Sequence, residues 1–394
     1  MRRDLIGTCD VGPSQCCPPH RRQRHFADQR KRHGQHATRL GLRHRRVDTH
    51  ADEHVAVVLN LLGKVLGGRA FPTTRAGYAR LLEWASSFGV IDRIGIEGTG
   101  SWGRGLTLFC LSRGLAVRDV DRPDRRARRS RGKTDLLDAE AAARAVLAGT
   151  AATLPKTGDG PVEMIRVLHI TRETAVKART QAINQLRALA VTAPLELAEQ
   201  LRGLSRRQLV ATATCFEAAA PVTDPTGATR LAMRTLARRI EALTDEIARL
   251  ETERDRIIDA AAPALLEIKG MGYHAAASLL VAAGDNPDRL RSEAAFAKLC
   301  AVAPMPVKSG RTERHRLNHG GDRQANRALH TIVVSRIRWP DERTRDYVTR
   351  RNRNGQYKAD LDTIRRLKRY IAREVYPILI DALSTPPEKS VTAA

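Results

Sequence analysis

The stretch VIDRIGIEGTG, residues 90–100, decides how the first half of this chain folds. Val90–Glu97 is short, rich in β-branched residues and followed by turn formers, so it reads as a strand running into Gly98-Thr99-Gly100. Outward from it, the residues from about Trp102 to Arg113 have helical spacing and Leu115–Val120 is extended again. Upstream, Val55–Leu59 (VAVVL) and Val65–Phe71 are extended runs joined by the turn-like Asn60–Lys64. Between them and the quoted stretch, Thr73–Phe88 places Leu81, Leu82 and Trp84 on one helical face. Two adjacent extended runs followed by alternating helix and strand predict a mixed α/β sheet with crossover helices.

The 394 residues suggest two or three domains. Residues 1–46 hold 12 Lys+Arg against 3 Asp+Glu with almost no apolar periodicity, which predicts a disordered basic leader. It is either a nucleic-acid-binding arm or upstream sequence read from a misplaced start. The α/β domain is expected over 47–155, with a Gly- and Pro-containing linker at 150–161. Residues 156–262 read as helical, broken near Pro194 and at Pro221–Gly227. Within them Leu236, Ile240, Leu243, Ile247, Leu250 and Ile257, past a polar step at Arg254, form an a/d seam that predicts a coiled coil or long helical hairpin. Either a helix of the same chain or a second copy could satisfy that seam. Residues 263–385 form a last all-α domain and 386–394 a disordered tail. The all-α domain opens on an apolar helix end, Gly270-Met271-Gly272 and an Ala-rich helix, a helix-hairpin-helix-like element or a plain αα-turn. In the first case Gly270 and Gly272 would present backbone N–H groups to a phosphate.

Charge points to the partner. With 68 Lys+Arg against 43 Asp+Glu the net charge is +25, and such a chain repels itself unless a polyanion neutralises it. Aromatics make up only 4%, which argues against a single-strand binder built on stacking platforms. Residues 121–133, DRPDRRARRSRGK, carry Arg122, Arg125, Arg126, Arg128, Arg129, Arg131 and Lys133. No apolar run is long enough to span a bilayer, no secretory h-region follows the first arginines, and a reducing cytoplasm suits the six cysteines. Cys110, Cys215 and Cys300 read as buried thiols. Cys9, Cys16, Cys17 and His20 could be drawn as a zinc site, but their spacing fits no standard finger.

Four acids stand out by position. Asp48 precedes the first extended run, Glu97 ends the quoted strand, and Asp135 and Asp138 lie three apart after Thr134, a good N-cap. Clustered, such acids would repel one another unless hard divalent cations, Mg²⁺ or Mn²⁺, lay between them. Each acid alone could equally be structural, as with aspartates favouring a helix N-terminus. The order of acid, strand, acid, Arg-rich loop and D-x-x-D is more specific than its parts.

VDTHADEHVAVVLN (47–60), RIGIEGTGSWG (93–103), DRPDRRARRSRGKTDLLDAEAAARAVL (121–147) and LNHGGDRQANRALH (317–330) together resemble the DEDD transposases of the insertion-sequence family IS-one-ten, relatives of the Piv DNA invertases. The likeness runs from about Val47 to Pro377. It implies an RNase-H/RuvC-like N-terminal domain whose metal-binding carboxylates fall on Asp48, Glu97, Asp135 and Asp138. It also implies a C-terminal domain with a nucleophilic serine before glycine, which falls on Ser309, with Arg311, Arg314, Arg316 and Arg323 near it in sequence. Family resemblance further implies double-stranded DNA as substrate, a structured non-coding guide RNA, and a homo-oligomer of two or four chains, for whose assembly the heptad seam is the candidate. An apolar strand is expected immediately before the first aspartate, yet residues 41–46 are GLRHRR, which would place several charges in a buried strand. Two other readings share these residues: a structure-selective RuvC-like endonuclease that uses water and does not need Ser309, and an inactive nucleic-acid-binding remnant.

Overall fold

The computed structural model describes residues 38–44, 52–120, 135–217, 221–310, 312–352 and 355–384. The leader through residue 37, with Cys9, Cys16, Cys17 and His20, and the tail from 385 lie outside the described residues.

The first body is a five-stranded sheet: β1 (Thr38–His44), β2 (Glu53–Leu59), β3 (Val65–Pro72), β4 (Ile91–Glu97) and β5 (Val117–Val120), in the order β3-β2-β1-β4-β5. β2 is antiparallel to β1 and β3, whereas β1, β4 and β5 run parallel. The strands around residue 90 therefore fold as their pattern predicts, but the leader does not end at residue 46. Thr38–His44 is the central strand, with Leu42 opposite Ala56 on one side and Ile96 on the other. The charge of this stretch argued against a strand. The ladder requirement outweighs it, because β2 and β4 do not pair with each other and each needs backbone partners on its inner edge.

Helices cover both faces of the sheet. α1 (Arg75–Ser86) and α2 (Arg104–Leu111) pack Leu81, Leu82, Leu106 and Phe109 on Ala56, Val58, Ile94 and Ile96. α3 (Asp135–Leu147) covers the other face, where Ala139 and Ala143 meet Val57 and Leu59 while Ala142 and Val146 meet Val120. It lies very close: a Cβ on Gly95 would come within 2.4 Å of Val146 Cγ2 and 3.0 Å of Val120 Cγ2.

The helical region is an antiparallel hairpin of α4 (Pro161–Thr192) and α7 (Pro225–Ala261), with the short α5 (Leu195–Leu201) and α6 (Arg206–Thr214) at its far end. The pairing runs from Arg172 with Glu251 (2.7 Å), through Arg179 with Thr244 (3.4 Å), to a cluster of Ala182 and Leu186 with Met233, Ala237 and Ile240. The two breaks fall where Pro194 and Pro225 start new helices; Asp224 caps the second by accepting from Gly227 N. The buried seam of α7 is Met233, Ala237, Ile240, Ile247, Arg254 and Ile257, while Leu236, Leu243 and Leu250 are only half-buried. Its buried side is taken up by α4 of the same chain, so this part of the heptad seam builds a hairpin within the chain.

The C-terminal body packs α8 (Pro263–Leu266), α9 (Tyr273–Ala283), α10 (Glu293–Leu299), α11 (Arg323–Arg338), α12 (Glu342–Arg351) and α13 (Leu361–Ser384) in one core, with a hairpin of β6 (Met305–Ser309) and β7 (Thr312–Arg316). α9 is its axis. Its Ala-rich sequence lets α4, α7 and α11 pack around it, and Ala275–Leu280 are all buried. Cys110 and Cys300 are buried, and burial pushes both thiols up to about 12, so they are inert. Cys215 is exposed, contrary to its expected burial, because it sits at the C-cap of α6, where the helix turns outward.

The linker is held, not loose. Asp119 of β5 bridges Thr153, Asn286 contacts both Pro155 O and Thr157 N, and Asp285 accepts from Val162 N at 2.8 Å. Arg104 of α2 donates to Gly158 O and pairs with Glu163 at 3.1 Å. Lys156 lies over Gly284 and donates to Val281 O, the exposed carbonyl end of α9. Burial first, then Arg289, pushes the Lys156 amine down to about 8.

Two outcomes follow from this packing. Gly95→Val should lower stability by about 1–3 kcal/mol or more in urea unfolding, since it wedges α3 off the sheet. Gly100→Ala, whose Cβ would meet nothing within 4 Å, should be near neutral. Lys156 binds a proton more readily unfolded than folded between about pH 8 and the usual lysine value, so its contribution to stability rises with pH across that interval and falls as pH drops through about 8. Lys156→Met should flatten that part of the melting-temperature profile relative to the unchanged protein.

Candidate catalytic carboxylates and nucleic-acid interface

Glu97 ends β4 half-buried, and the turn after it fixes where it points into the sheet edge. Gly98 adopts a φ of +69°, and its carbonyl accepts from Ser101 N (2.9 Å) and Gly103 N (3.0 Å). Gly103 lies so close that a Cβ there would come within 2.7 Å of Glu97 O. The sequence GTGSWG thus folds as a tight knot that carries the strand directly into α2.

Asp135 and Asp138 lie in the first turn of α3. Leu147, at the other end, packs by Gly63 in the turn after β2, and Val146 lies over Gly95. The helix therefore points its N-terminus at the sheet edge where the parallel strands β1 and β4 end. Glu97 and the D-x-x-D turn share that edge. Asp48 follows the end of β1 by four residues and lies outside the described residues, as do Arg125, Arg126, Arg128, Arg129, Arg131 and Lys133 of the Arg-rich loop.

Ser309 is the last residue of β6, opposite Thr312, beside a turn in which Gly310 takes a φ of +56°. It lies on the C-terminal body, whereas Glu97 ends a strand of the sheet and the D-x-x-D turn opens α3. Arg311 is outside the described residues, and Arg314 stands in β7 opposite Val307. Arg316, at the base of the hairpin, lines a cleft of about 370 Å³ together with His315 and with Arg365, Arg366, Lys368 and Arg369 of α13. The lining holds one carboxylate, Asp362, which pairs with Arg366 (2.9 Å) and Arg351 (2.7 Å). Burial, then Arg365, holds Lys368 below the ordinary lysine range. Cations held this close and facing a cleft favour a polyanion. Arg323 is exposed at the start of α11, which Asp322 caps by accepting from Gln324 N and Ala325 N.

Of the glycines of the expected helix-hairpin-helix, Gly270 has a packing role. Gly270 has a φ of +83° and lies on α11, where a Cβ would stand 3.1 Å from Ile332 O. Arg336, buried, donates to Lys269 O at 2.7 Å and grips Glu374 with two bonds of 2.8 and 2.9 Å, tying the turn to α11 and α13. The helix before the turn, α8, is a single turn, while Gly272 is exposed at the N-cap of α9. The α13 cations of the cleft belong to residues 308–374, whose basic excess is consistent with a nucleic-acid surface, while their helical spacing alone also fits a solvated face. If the cleft holds nucleic acid, Arg316→Gln and Arg365→Gln should each reduce the slope of log affinity against log salt by about 1, measured by filter binding across a salt series.

No helix among the described residues is long and apolar enough to cross a membrane. Residues 47–194 match the family model for the DEDD transposase of IS110 elements, and residues 262–349 match the model for the transposase IS116/IS110/IS902 family. No curated protein matches the chain. The first match takes in the sheet from β2 onward, the D-x-x-D turn and all of α4, and the second runs from α8 through most of α12 with the Ser309 hairpin. Two matches to one family, in this order along one chain, make it a member of the IS110 family of transposases.

Proposed function

We propose that this transposase cuts and rejoins DNA at a centre formed by Asp48, Glu97, Asp135 and Asp138, with Ser309 as nucleophile and a non-coding RNA as guide. The observation that carries the reading is the shared sheet edge of Glu97 and the first turn of α3. The strand order β3-β2-β1-β4-β5, three antiparallel strands followed by two parallel ones, supports an RNase-H/RuvC-like first domain. Bound between the carboxylates, divalent ions would activate the attacking oxygen and stabilise the leaving one.

The chain's own groups supply the remainder. Ser309 Oγ attacks the scissile phosphorus, and the bond to the leaving deoxyribose oxygen breaks as the serine ester forms. A free DNA hydroxyl then reverses the exchange on a new strand and restores the serine, so the number of phosphoester bonds is conserved. The arginines near the hairpin offset charge on the phosphorane. The basic cleft beside the hairpin supports binding of nucleic-acid backbone, and base pairing to a guide would then supply sequence, as in other guided systems. Assembly into dimers or tetramers would use a surface other than the α7 seam; Met164, Val167 and Ile170 form an exposed apolar strip on α4 suited to it.

Protein incubated with Mg²⁺, labelled element-junction DNA and RNA from the element flanks should carry covalent label on a denaturing gel. Ser309→Ala should abolish the adduct, and Glu97→Gln and Asp138→Asn should reduce it more than about 10³-fold while the melting temperature holds. Cleavage without an adduct would instead establish the water-using nuclease.

A further inference from the structure

His169 and Glu173 lie one turn apart on α4, and His274 opens α9 more than a hundred residues later. Their donor atoms all fall within 4.8 Å of one another, with His274 Nδ1 at 3.6 Å from Glu173 Oε1. The hydrogen bonds around His169 leave one ring nitrogen bare. Ser278 Oγ donates its proton to His274 O at 2.9 Å, so its lone pair faces His169 Nε2 at 3.3 Å and accepts from it. That fixes the proton on Nε2 and leaves a lone pair on Nδ1. His169 is 5% exposed, and neither its Nδ1 nor that of His274 makes a hydrogen bond. A buried acceptor without a donor is destabilising unless something fills the gap.

We infer that His169, Glu173 and His274 bind a divalent transition-metal ion of the zinc type, which pins the long hairpin to the axis of the C-terminal body. Two imidazoles and one carboxylate favour Zn²⁺, Co²⁺ or Ni²⁺ over Mg²⁺. Tetrahedral bonds of about 2.0–2.1 Å hold donors about 3.3 Å apart, so small side-chain rotations close the set. Ser278 orients the buried imidazole in the manner of outer-shell partners. A groove of about 930 Å³ opens on Glu173 and His274, giving the ion a path and a fourth, solvent-facing position. Of the neighbouring cations, Arg254 is matched by Asp255 (2.6 Å), and Arg172, which also touches Glu173, keeps Glu251 (2.7 Å) when Glu173 turns to the ion. Arg327 and Lys177 line the groove, where Arg327 is exposed and its charge screened by solvent. This centre shares no residue with the carboxylate edge.

The test uses the full chain, stripped with a chelator and returned to buffer with excess Mg²⁺ to occupy oxygen-rich sites. Titration with Co²⁺ should give the intense visible bands of four-coordinate cobalt, saturating at one ion per chain, displaced by Zn²⁺ and accompanied by a rise in melting temperature. His274→Gln, at a partly exposed position, should abolish the bands with the circular-dichroism spectrum unchanged, and Ser278→Ala should weaken binding about tenfold. Absence of bands in the unchanged protein would overturn the site. Bands that survive His274→Gln would do the same, and thiolate charge-transfer absorption would place the metal on Cys9, Cys16 and Cys17 instead.

Discussion

How closely α3 can approach the sheet sets the geometry of the sheet edge that carries Glu97. A helix on a sheet normally stands off by the thickness of its side chains, and here that thickness is removed on both sides. Ala139, Ala142 and Ala143 line the helix and Gly95 lies beneath Val146, so the helix settles until methyl meets backbone. Its axis is thereby fixed in two directions, along β4 and across β1 and β2. The alanine run of 139–147 and the glycine in VIDRIGIE are thus parts of one device, although 44 positions separate their first members.

The second constraint joins the bodies. The linker is extended and short of regular structure, so its backbone groups would be left to solvent unless something took them. Asn286 and Asp285, in the loop that follows α9, take several, and Arg104 reaches from α2 to the linker carbonyl at Gly158 and to Glu163 at the root of α4. The sheet, the hairpin and the C-terminal core therefore meet at one junction around residues 153–163. On the proposed mechanism, which sets acids on one body and a serine on another, such a junction has to be specific, since a misplacement of about 1 Å is enough to cost a reaction heavily.

What the sequence discloses follows from how local each signal is. β2, β4, α1 and the helix breaks at Pro194 and Pro225 are legible because period and punctuation are properties of neighbouring residues. β1 was not, because its basic residues mask a strand whose reason for existing is the empty place between β2 and β4, a fact of topology. The heptads of α7 announce a partner helix but cannot say that α4 supplies it, and Arg254, read as a step out of the seam, is buried within it. Glu97 and the D-x-x-D pair could be nominated from order along the chain, yet their common edge follows only from the direction in which α3 crosses the sheet. His169 and Glu173 show a helical spacing shared by many surface pairs; what distinguishes them is His274 and the orientation imposed by Ser278, neither of which is near in sequence.

The charge of the chain has to be read against this architecture. Many arginines are structural: Arg336 with Glu374, Arg172 with Glu251, Arg254 with Asp255, Arg104 with Glu163, Arg369 with Glu293. Each such pair removes one cation and one of the 43 acids together, so none of them reduces the surplus of 25. The more thoroughly the acids are engaged inside, the more completely the remaining cations are left for the surface. Repulsion among them destabilises the isolated protein and is relieved by a polyanion, which makes folding and nucleic-acid binding mutually reinforcing. That coupling requires the surplus to be concentrated where a duplex can lie; five Lys and Arg side chains line the cleft between the β6–β7 hairpin and α13, and after Arg366 pairs with Asp362 and Arg369 with Glu293, Arg316, Arg365 and Lys368 are left to it. A uniformly basic surface would bind anions without positioning them, whereas a cleft at the base of the hairpin offers its cations from two elements at once.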